Sequence, residues 1–593
     1  MAKRRIAVIN KELWKDFSLG RVIMNVCPVN RSGEECITID PKTKFPIIDE
    51  KLCIGCGLCV KAAEKAGCYA ISIVNLPEQL EETPVHRFGV NEFVLFRLPY
   101  PITGQIVGIV GSNGIGKTTS ISILSGELKP NLGKVGGDVD FEDILKLFRG
   151  KEIFDYLKKL EEKTIRTSIK PQRVDKIPKL YKGKVSKLLK NVDERGILND
   201  LIDDLRLENI LDSEIIEISG GELQRVAIAA CLSRDADFYY LDEPTSFLDV
   251  FQRLLTAKII RKYCKDRAVL IADHDLATLD FLADRIHIFY GVPGVYGIVS
   301  KPYSVRVGIN TFLDGYIKEE NIRFRNYPVV FSTNIIEELT SPEVLISFKN
   351  IKKSFDKFEL HVMSGDVRKK EVLAVLGANA LGKTTFARII AGEIEADEGE
   401  ISGKIKISYK PQYIRTNFDG TVEHLLSTAT ETNKDDYKVN VLTPLNLDKL
   451  LLKDVKNLSG GELQKVAIAL TFGRDADLYL LDEPSAFLDV EERLTVAKLI
   501  KKLIETKEKS ALVIDHDLLF LSQLGSRGMV FLGKPGIKGY VRDVTSLKNA
   551  FNTFLSTVGV TFRRDPQTGR PRANKLDSQL DREQKEKGDY FCM

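Results

Sequence analysis

Long apolar runs are missing from this 593-residue sequence. A membrane-spanning helix needs about 18 or more consecutive, mostly apolar residues, and no stretch approaches that length. The apolar run near the basic N-terminus (MAKRRIAVIN) is too short for a signal peptide. Net charge is also small, since +4 is the difference between 87 basic and 83 acidic residues. We expect no membrane partner, and the charge alone neither favours nor excludes a nucleic-acid partner.

Cysteine is sparse, and six of the nine cysteines lie in the first 68 residues. Without a signal sequence we expect a reducing, cytoplasmic location, where clustered cysteines are more often metal ligands than disulfides. Cys53, Cys56 and Cys59 form C-x2-C-x2-C, and Cys27 precedes a proline. This pattern resembles the bacterial-type ferredoxin motif. Residues 1–82 are therefore predicted to be a ferredoxin-like domain that holds one [4Fe–4S] cluster through these four cysteines.

A second cluster, which such ferredoxins often carry, is predicted to be absent. The usual spacing places its ligands at Trp14, Leu19 and Ile23, which are all apolar. We expect these side chains to fill the volume, because an empty cavity of that size would cost several kcal/mol. Cys36 and Cys68 are then predicted to be spare. A cluster-free domain, two clusters and a zinc site remain as alternatives at this stage.

One long segment occurs twice in the chain. Ser219–Asp249, which begins SGGELQRVAIAA, returns 240 residues later as Ser459–Asp489, which begins SGGELQKVAIAL. A repeat of this length at this distance predicts two copies of one domain.

A glycine-rich loop precedes each copy of the repeat. In the first, a β-branched strand at Ile106–Val110 leads into Gly111–Thr119 and then into a helical pattern, and Gly377–Thr385 repeats the loop. In G-x4-G-K-T the glycines let backbone N–H groups wrap phosphates, the lysine neutralises phosphate charge, and the threonine can bind Mg²⁺. Two ATP-binding loops are therefore predicted.

Each copy also contains a strand that ends in two carboxylates. Asp242 and Glu243 follow Phe238–Leu241, and Asp482 and Glu483 recur at the equivalent place. The aspartate is predicted to hold Mg²⁺ through water, and the glutamate to polarise the attacking water. A recurrent histidine is predicted to sense the γ-phosphate, and a recurrent glutamine to contact the metal and the attacking nucleophile. The predicted catalytic residues are Glu243, Glu483, His274 and His516, and the two glutamines are Gln172 and Gln412.

The order of these motifs resembles that of an ATP-binding cassette. The resemblance implies that each signature segment contacts the nucleotide held by the opposite cassette. The implied composite sites are Gly111–Thr119 with Ser459–Glu462, and Gly377–Thr385 with Ser219–Glu222. The implied ATP-binding residues are Gly111, Asn113, Gly114, Gly116, Lys117, Thr118, Thr119, Gln172, Ser219, Gly220, Gly221, Glu222 and Asp249, and Gly377, Asn379, Gly382, Lys383, Thr384, Thr385, Gln412, Ser459, Gly460, Gly461, Glu462 and Asp489. The magnesium candidates are Thr118, Gln172, Asp242, Thr384, Gln412 and Asp482, and the adenine-stacking candidates are Phe88, Phe93 and Phe358.

Three segments are not repeated. Residues 141–163 have helical spacing with a break at Arg149-Gly150, which predicts a helix–loop–helix insertion that is either a solvated pair or a docking element. The Gly- and Tyr-rich segment 290–297, with residues 304–310, is interpreted as a hinge. The tail from Thr561 to Arg572 is basic and turn-rich, and composition alone predicts disorder there.

Together these features resemble the ABCE family of ribosome-recycling ATPases over essentially the whole chain. The resemblance implies an archaeal or eukaryotic source, with the short tail and loops favouring an archaeal one. It implies an α/β fold in which a ferredoxin-like α+β domain (1–82) precedes two P-loop cassettes, 83–290 and 345–545. The hinges are placed at 291–344 and 546–593, with the tail packing back on the cassettes.

The function implied by this resemblance is ATP-driven splitting of post-termination or stalled ribosomes into subunits. The implied partners are the ribosome, mainly its small subunit and rRNA, and a release or rescue factor, with the insertion contacting rRNA. ATP, Mg²⁺ and one [4Fe–4S] cluster are the expected cofactors, in a monomer whose two cassettes pair. A transporter ATPase subunit and an iron–sulfur redox-coupled ATPase are the alternatives.

Overall fold

The computed structural model describes residues 4–9, 14, 18–41, 43–50, 52–68, 70–76, 82–331, 343–412, 418–430, 435–575 and 577–591. In the N-terminal unit, strands Arg4–Ile9 and Ile71–Leu76 pair antiparallel, and Ile37–Ile39 forms a hairpin with Pro46–Ile48. The helices of this unit are Leu19–Val26, Pro28–Arg31 and Leu58–Lys65. One face of the Arg4–Ile9 strand contributes Ala7 and Ile9 to the unit's own core. The other face, with Ile6 and Val8, packs on the first cassette.

The first cassette is built on a sheet whose central strands are parallel. The order from edge to edge is His86–Arg87, Val94–Phe96, Tyr296–Val299, Arg285–Val292, Ile106–Val110, Ala268–Ala272, Phe238–Asp242 and Thr167–Lys170, and Tyr303–Ser304 pairs with Arg285–Val292. Strands Ile106–Val110, Phe238–Asp242 and Ala268–Ala272 are buried along their whole length, as expected for parallel strands with helices on both faces. The helices are Lys117–Leu124, Phe141–Phe148, Phe154–Glu161, Ile177–Leu180, Val185–Val192, Leu198–Leu205, Gly220–Leu232, Val250–Tyr263 and Leu276–Leu282, with 3₁₀ turns at Val174–Lys176 and Glu208–Ile210.

The second cassette repeats this topology. Its strands run in the order Glu398–Ser402, Val344–Phe355, Phe358–Arg368, Lys538–Val541, Arg527–Lys534, Val372–Gly377, Ser510–Ile514, Leu478–Asp482 and Ile407–Lys410, and Val544–Ser546 pairs with Arg527–Lys534. Its helices are Lys383–Ile390, Val422–Ser427, Asp435–Tyr437, Gly460–Gly473, Val490–Lys507 and Leu518–Leu524, with a π turn at Lys438–Leu442 and a 3₁₀ turn at Val455–Asn457.

Segment 290–297 belongs to the sheet of the first cassette. Strands Arg285–Val292 and Tyr296–Val299 form an antiparallel hairpin there, and Gly294 N–H donates to the carbonyl of Gly114 at 2.9 Å. Residues 290–297 are therefore part of the first cassette's sheet, and the interpretation of this segment as a hinge stays a prediction. A turn-rich sequence fits a hairpin as well as a hinge, and here the turn abuts the phosphate-binding loop. Of the predicted connector, residues 332–342 lie outside the described residues.

A helix follows each cassette sheet, Val305–Asp314 after the first and Leu547–Val558 after the second. Short strands come next, Tyr316–Ile317 and Ile322–Arg323 in one case, Phe562–Arg564 and Pro571–Ala573 in the other. A 3₁₀ turn at Lys318–Glu320 and a final helix at Gln579–Lys587 complete these segments. The tail is thus built of regular elements, which composition alone did not predict.

Both of these segments contact the opposite cassette. Arg325, which follows the first helix, is bonded to Glu491 at 3.0 Å in the second cassette. Arg572 in the tail pairs through two bonds, 2.5 and 2.8 Å, with Asp280 of the first cassette. The segments also contact each other, because Asn310 donates to Gln567 at 2.7 Å. The two cassettes are therefore connected by both segments.

Candidate functional site

The two phosphate-binding loops are built alike. Each helix begins just after a glycine in the left-handed region, Gly116 at φ 98° and Gly382 at φ 90°. A Cβ on Gly116 would lie 2.6 Å from Phe93 Cζ, and one on Gly382 would lie 2.9 Å from Phe358 Cζ, so only glycine fits. Phe93 and Phe358 therefore occupy equivalent places beside the loops. The third adenine-stacking candidate, Phe88, instead packs edge-on against His86 with centroids 4.8 Å apart.

The loop lysines are held in the centre of their loops by backbone oxygens. Lys117 Nζ donates to the carbonyls of Gly111 at 2.6 Å and Ser112 at 3.3 Å. Lys383 Nζ donates to the carbonyls of Gly377 at 2.9 Å and Ala378 at 2.6 Å. Burial lowers the pKa of both lysines, although the nearby glutamates oppose this shift. A desolvated cation at a helix N-terminus suits an anionic ligand such as a phosphate.

The two strand-end aspartates are buried carboxyls. Burial and the neighbouring glutamate raise the pKa of Asp242 and of Asp482 to about 6. Thr384 Oγ1 donates to Asp482 Oδ2 at 2.7 Å, which brings together two of the magnesium candidates. Asp482 Oδ1 is buried and has no hydrogen-bond partner among the described residues. A buried, unsatisfied carboxylate oxygen beside a threonine hydroxyl fits the oxygen-rich coordination of Mg²⁺.

The glutamate that follows each aspartate is surrounded by hydrogen-bond donors. Glu243 accepts from Gln172 Nε2 at 2.5 Å and lies 3.5 Å from His274 Nε2. Glu483 accepts from Gln412 Nε2 at 2.7 Å and lies 3.5 Å from His516 Nε2.

Burial alone would raise the pKa of both glutamates, but the histidine contact and the nearby lysine charges together outweigh burial and lower the pKa. The pKa values of the aspartate and the glutamate are thus shifted in opposite directions, which leaves the glutamate ionised and able to accept a proton.

Both glutamates have a left-handed backbone, with φ 45° at Glu243 and φ 48° at Glu483. A buried lysine and a glutamine hold this strained conformation through the glutamate's carbonyl. In the first cassette Lys170 Nζ donates to the carbonyls of Asp242 at 2.7 Å and Glu243 at 3.1 Å. Gln224 Nε2 donates to the Glu243 carbonyl at 2.5 Å. Burial lowers the pKa of Lys170 to about 8.

The second cassette repeats this support with Lys410 and Gln464, which donate to the Asp482 and Glu483 carbonyls at 2.7 and 2.6 Å. Sequence reasoning missed these four residues. Their recurrence in both copies, with Lys170 directly before Pro171-Gln172, was the signal that could have found them.

Each signature serine starts a helix with a complete capping box. Ser219 caps Gly220–Leu232 with Glu222, and Ser459 caps Gly460–Gly473 with Glu462. Two more backbone N–H groups at each helix start are supplied by glycines, which leave room for a ligand to approach.

The first cassette reaches the phosphate-binding loop of the second directly. Asn379 N–H donates to Asp249 Oδ2 at 3.0 Å, and Asn379 Nδ2 donates to the Phe247 carbonyl at 3.1 Å. A Cβ on Gly221 would lie 3.9 Å from Asn379 Nδ2, so the first signature borders the same loop. In the first loop the equivalent residue, Asn113, instead contacts His274 Nε2 through Oδ1 at 3.0 Å. The two sites therefore differ at this position.

The loop threonines and the residues between the cassettes complete the surroundings of the two loops. Thr118 is exposed, whereas Thr119, Thr384 and Thr385 are half-buried. Asp489 accepts from Glu492 N–H at 2.9 Å, and its charge acts on Lys117 across the interface. Phe247 and Phe487 meet edge-on between the cassettes with centroids 5.6 Å apart.

A separate cavity in the N-terminal unit is lined by cysteines. Its lining includes Cys27, Cys36, Cys53, Cys56 and Cys59, together with apolar residues. Among the described residues, no three or more His, Cys, Asp or Glu side chains converge so as to hold one metal ion. A cubane differs from a single ion because each cysteine binds a different iron and the thiolates stand apart around it. The donor set therefore fits an iron–sulfur cluster.

The place expected for a second cluster is filled. Trp14, Leu19 and Ile23 are 3%, 4% and 0% exposed and belong to one core with Ala63, which is also fully buried. Ala63 stands four residues after Cys59, where the motif would have its fourth cysteine. Four potential ligand positions of the second cluster are thus occupied by packed apolar side chains.

No helix among the described residues is both long and apolar enough to span a membrane. The fold and the paired loops define a protein with two ATP-binding cassettes. The ABC transporter family profile matches residues 102–246 and 360–486, the cores of the two cassettes. The chain is therefore an ATP-binding cassette ATPase.

Relatives and solved structures narrow this class. An uncharacterized ABC transporter ATP-binding protein of Methanocaldococcus jannaschii is 49% identical, covering 99% of this chain and 97% of the relative. ABC transporter E family member 1 of Arabidopsis thaliana is 42% identical, covering 99% of both chains. A structure of ribosome-bound archaeal Pelota and ABCE1 matches with TM-score 0.95 and 49% identity over 100% of both chains.

The archaeal ribosome recycling factor aABCE1, in complex with ribosomal stalk protein aP1, matches with TM-score 0.81 and 50% identity, covering 87% of this chain and 100% of that one. The chain belongs to the ABCE family.

Proposed function

We propose that this chain is an ATP-driven ribosome recycling factor that splits post-termination or stalled ribosomes and stays with the small subunit. The observation that carries the proposal is the contact of Asp249 and Phe247 with Asn379, which links nucleotide binding to cassette pairing. It is supported by relatedness over the full chain to ribosome-bound ABCE1. The ribosome, a release or rescue factor and stalk protein are the partners this relatedness suggests.

The two ATP sites are proposed to be composite. Lys117 or Lys383 neutralises phosphate charge, and the backbone N–H groups of the loop wrap the phosphates. The signature helix of the other cassette offers its N-terminus to the γ-phosphate. ATP then binds well only when the cassettes are closed, so that ATP binding favours the closed state.

Glu243 and Glu483 are proposed to activate the attacking water. Each carboxylate is kept ionised by its histidine and glutamine, and each backbone is fixed by the buried lysine, so the base is positioned before ATP arrives. Thr118 with Asp242, and Thr384 with Asp482, would hold Mg²⁺, with Gln172 and Gln412 beside them. The metal would supply charge neutralisation on the β- and γ-phosphates.

The N-terminal unit is proposed to be a ferredoxin-like domain with one [4Fe–4S] cluster. Cys27, Cys53, Cys56 and Cys59 would hold it, and the cluster would supply a rigid cross-link between three segments of the unit. Gly55 fits this arrangement because a Cβ there would lie 2.4 Å from Arg5 Cβ.

The unit is anchored on the first cassette. Asn91 makes two bonds of 2.8 and 2.9 Å to the backbone of Ile48, and Arg87 pairs with Glu50 at 2.8 Å. A rigid unit attached in this way moves with its cassette when the cassettes close. We propose that this motion is the lever against the ribosome, with the helices Phe141–Phe148 and Phe154–Glu161 docking on small-subunit RNA.

Sedimentation of purified ribosomes tests the proposal. Ribosomes carrying a rescue factor are mixed with the protein and either ATP or a non-hydrolysable analogue, then separated on a sucrose gradient. We expect free subunits with the wild-type protein and none with Lys117→Ala/Lys383→Ala. Intact ribosomes in the presence of a protein that hydrolyses ATP would exclude the proposed function.

A further inference from the structure

The cysteine cavity contains one thiol more than a cubane requires. Cys27, Cys36, Cys53, Cys56 and Cys59 all line it, whereas four cysteines suffice for a [4Fe–4S] cluster. The sequence suggested that Cys36 was spare. The inference below concerns Cys36 and rests on the cluster proposed above.

Backbone bonds hold Cys36 against the motif cysteines. The carbonyl of Cys36 accepts from Asp49 N–H at 2.7 Å, and the carbonyl of Asp49 accepts from Cys53 N–H at 2.9 Å. Asp49 therefore ties the Cys36 strand to the start of the C-x2-C-x2-C segment. Cys36 itself is only 1% exposed, so its thiol faces the interior.

A second clamp holds Cys36 beside Cys27. Asn30, in the helix that Cys27 caps, donates through Nδ2 to the Ile37 carbonyl at 2.7 Å and accepts from Ile37 N–H through Oδ1 at 2.8 Å. These two bonds fix the Cys27 helix to the residue directly after Cys36. As a result Cys36 lines the same cavity as Cys27 and Cys53.

Three other cysteines lie away from the cysteine cavity and serve as a comparison. Cys231 and Cys264 are buried in the core of the first cassette. Cys68 packs against the N-terminal core but does not line the cysteine cavity. Among the cysteines that the structure describes, Cys36 alone joins the four predicted ligands in lining the cavity, which distinguishes it from these three.

We propose that Cys36 is a reserve ligand of the iron–sulfur cluster, able to take the corner that Cys27 occupies. The exchange is a ligand substitution without change of oxidation state. The iron–sulfur bond to Cys27 would break and one to Cys36 would form, and the freed Cys27 thiolate would take up the proton that the Cys36 thiol gives up. In a chain that has lost Cys27, Cys36 binds the iron directly after losing its proton to solvent.

Iron and sulfide counts with an absorption spectrum near 400 nm, on anaerobically purified full-length protein, test this. Cys27→Ala and Cys36→Ala should each keep about four irons per chain, as the wild type does. Cys27→Ala/Cys36→Ala should lose the cluster, whereas the matched control Cys27→Ala/Cys68→Ala should keep it. ATP binding by the cassettes verifies that each variant is folded.

Three outcomes would overturn the proposal. Loss of iron from Cys27→Ala alone would show that Cys36 does not substitute, while the wild-type cluster would still stand. Retention of four irons by Cys27→Ala/Cys36→Ala would show that neither residue is a ligand. A wild-type protein without iron would refute the proposed cluster together with the reserve ligand. Electron paramagnetic resonance of reduced Cys27→Ala should show a spectrum shifted from that of the wild type, because one ligand has a new position.

Discussion

Removal of the Asp280 carboxylate should release the tail from the first cassette. Asp280 lies in helix Leu276–Leu282, shortly after His274, and its side chain is 3% exposed. Arg572 binds it with two bonds of 2.5 and 2.8 Å, and Arg570 approaches it at 3.3 Å. The Arg570 side chain is fully buried, and its Nε and Nη1 have no partner among the described residues. Asp280 is thus the main counter-charge for a buried guanidinium.

The size of the effect follows from this burial. Breaking a buried ion pair by removing one partner costs about 3–5 kcal/mol, because the remaining charge is left uncompensated. At about 1.4 kcal/mol per factor of ten, Asp280→Ala should shift the docking equilibrium of the tail by two to four orders of magnitude. Asp280→Asn should have a smaller effect, since the amide oxygen still accepts one hydrogen bond.

Hydrogen–deuterium exchange measures the release. The amides of Phe562–Arg564 and of Thr568–Ala573 should lose protection in Asp280→Ala, while the core strand Ile106–Val110 keeps it. Asp138→Ala, which removes an exposed pair with Lys129, is the matched control and should change nothing measurable. Unchanged protection of the tail in Asp280→Ala would refute the reasoning that this pair docks it.

Three further predictions concern the ATP sites. Because the pKa of Asp242 and of Asp482 is raised to about 6, both carboxylates lose their charge as the pH falls through 6. Mg²⁺-dependent ATP binding should therefore be weaker at pH 5.5 than at pH 7.5. Calorimetry that found the same Mg²⁺-dependent affinity at both pH values would contradict this. Asn379→Ala should slow steady-state ATP turnover more than Asn113→Ala, since only the former removes a bond to the opposite cassette; equal effects would argue against that bond's role. Lys410→Met should lower ATP turnover about 10- to 150-fold and leave ATP binding unchanged. This range is the equivalent of about 1.5–3 kcal/mol, the contribution of a hydrogen bond from a charged donor. Unchanged turnover would show that Lys410 does not support the backbone of Glu483.

The raised aspartate pKa values also affect stability. For Asp242 and Asp482 the folded-state pKa lies above the ordinary value of 3.8, so the native state binds protons more readily than the unfolded one. Their contribution to stability is therefore present below pH 4 and is lost as pH rises through 6. In the nucleotide-free protein these two carboxyls destabilise the fold at neutral pH, and a bound cation would remove that cost.

The parts of the site that sequence could predict are those where chemistry dictates a local motif. Gly116, Lys117 and Glu243 were predicted from what phosphate binding and water activation require, and the second copy of each motif supported the prediction. Lys170 and Gln224 escaped prediction because they act on the backbone of Glu243, which only the folded sheet brings near. The place of Cys36 in the cysteine cavity escaped prediction because Asn30 and Asp49 bring it there, a relation that spacing does not encode.

The fold, like the site, was predictable where local sequence patterns determine it. Buried strands such as Ile106–Val110 and Phe238–Asp242 are largely apolar runs that lead into the predicted motifs, so the sequence showed where they lie. The hairpin at 290–299 was missed because glycines and tyrosines around a tight turn are equally typical of a hinge. The order of the tail could not be read from its composition, because Asp280, which pairs with Arg570 and Arg572, lies nearly three hundred positions earlier in the chain.

The central claim is that each signature segment serves the nucleotide of the other cassette. Steady-state ATP turnover in a Glu243→Gln background tests it, because only the site built on Lys383 and Glu483 then remains active. Ser219→Arg should abolish this residual turnover, and Ser459→Arg should spare it. The opposite result, loss with Ser459→Arg and turnover with Ser219→Arg, would show that each cassette uses its own signature and would contradict the composite sites.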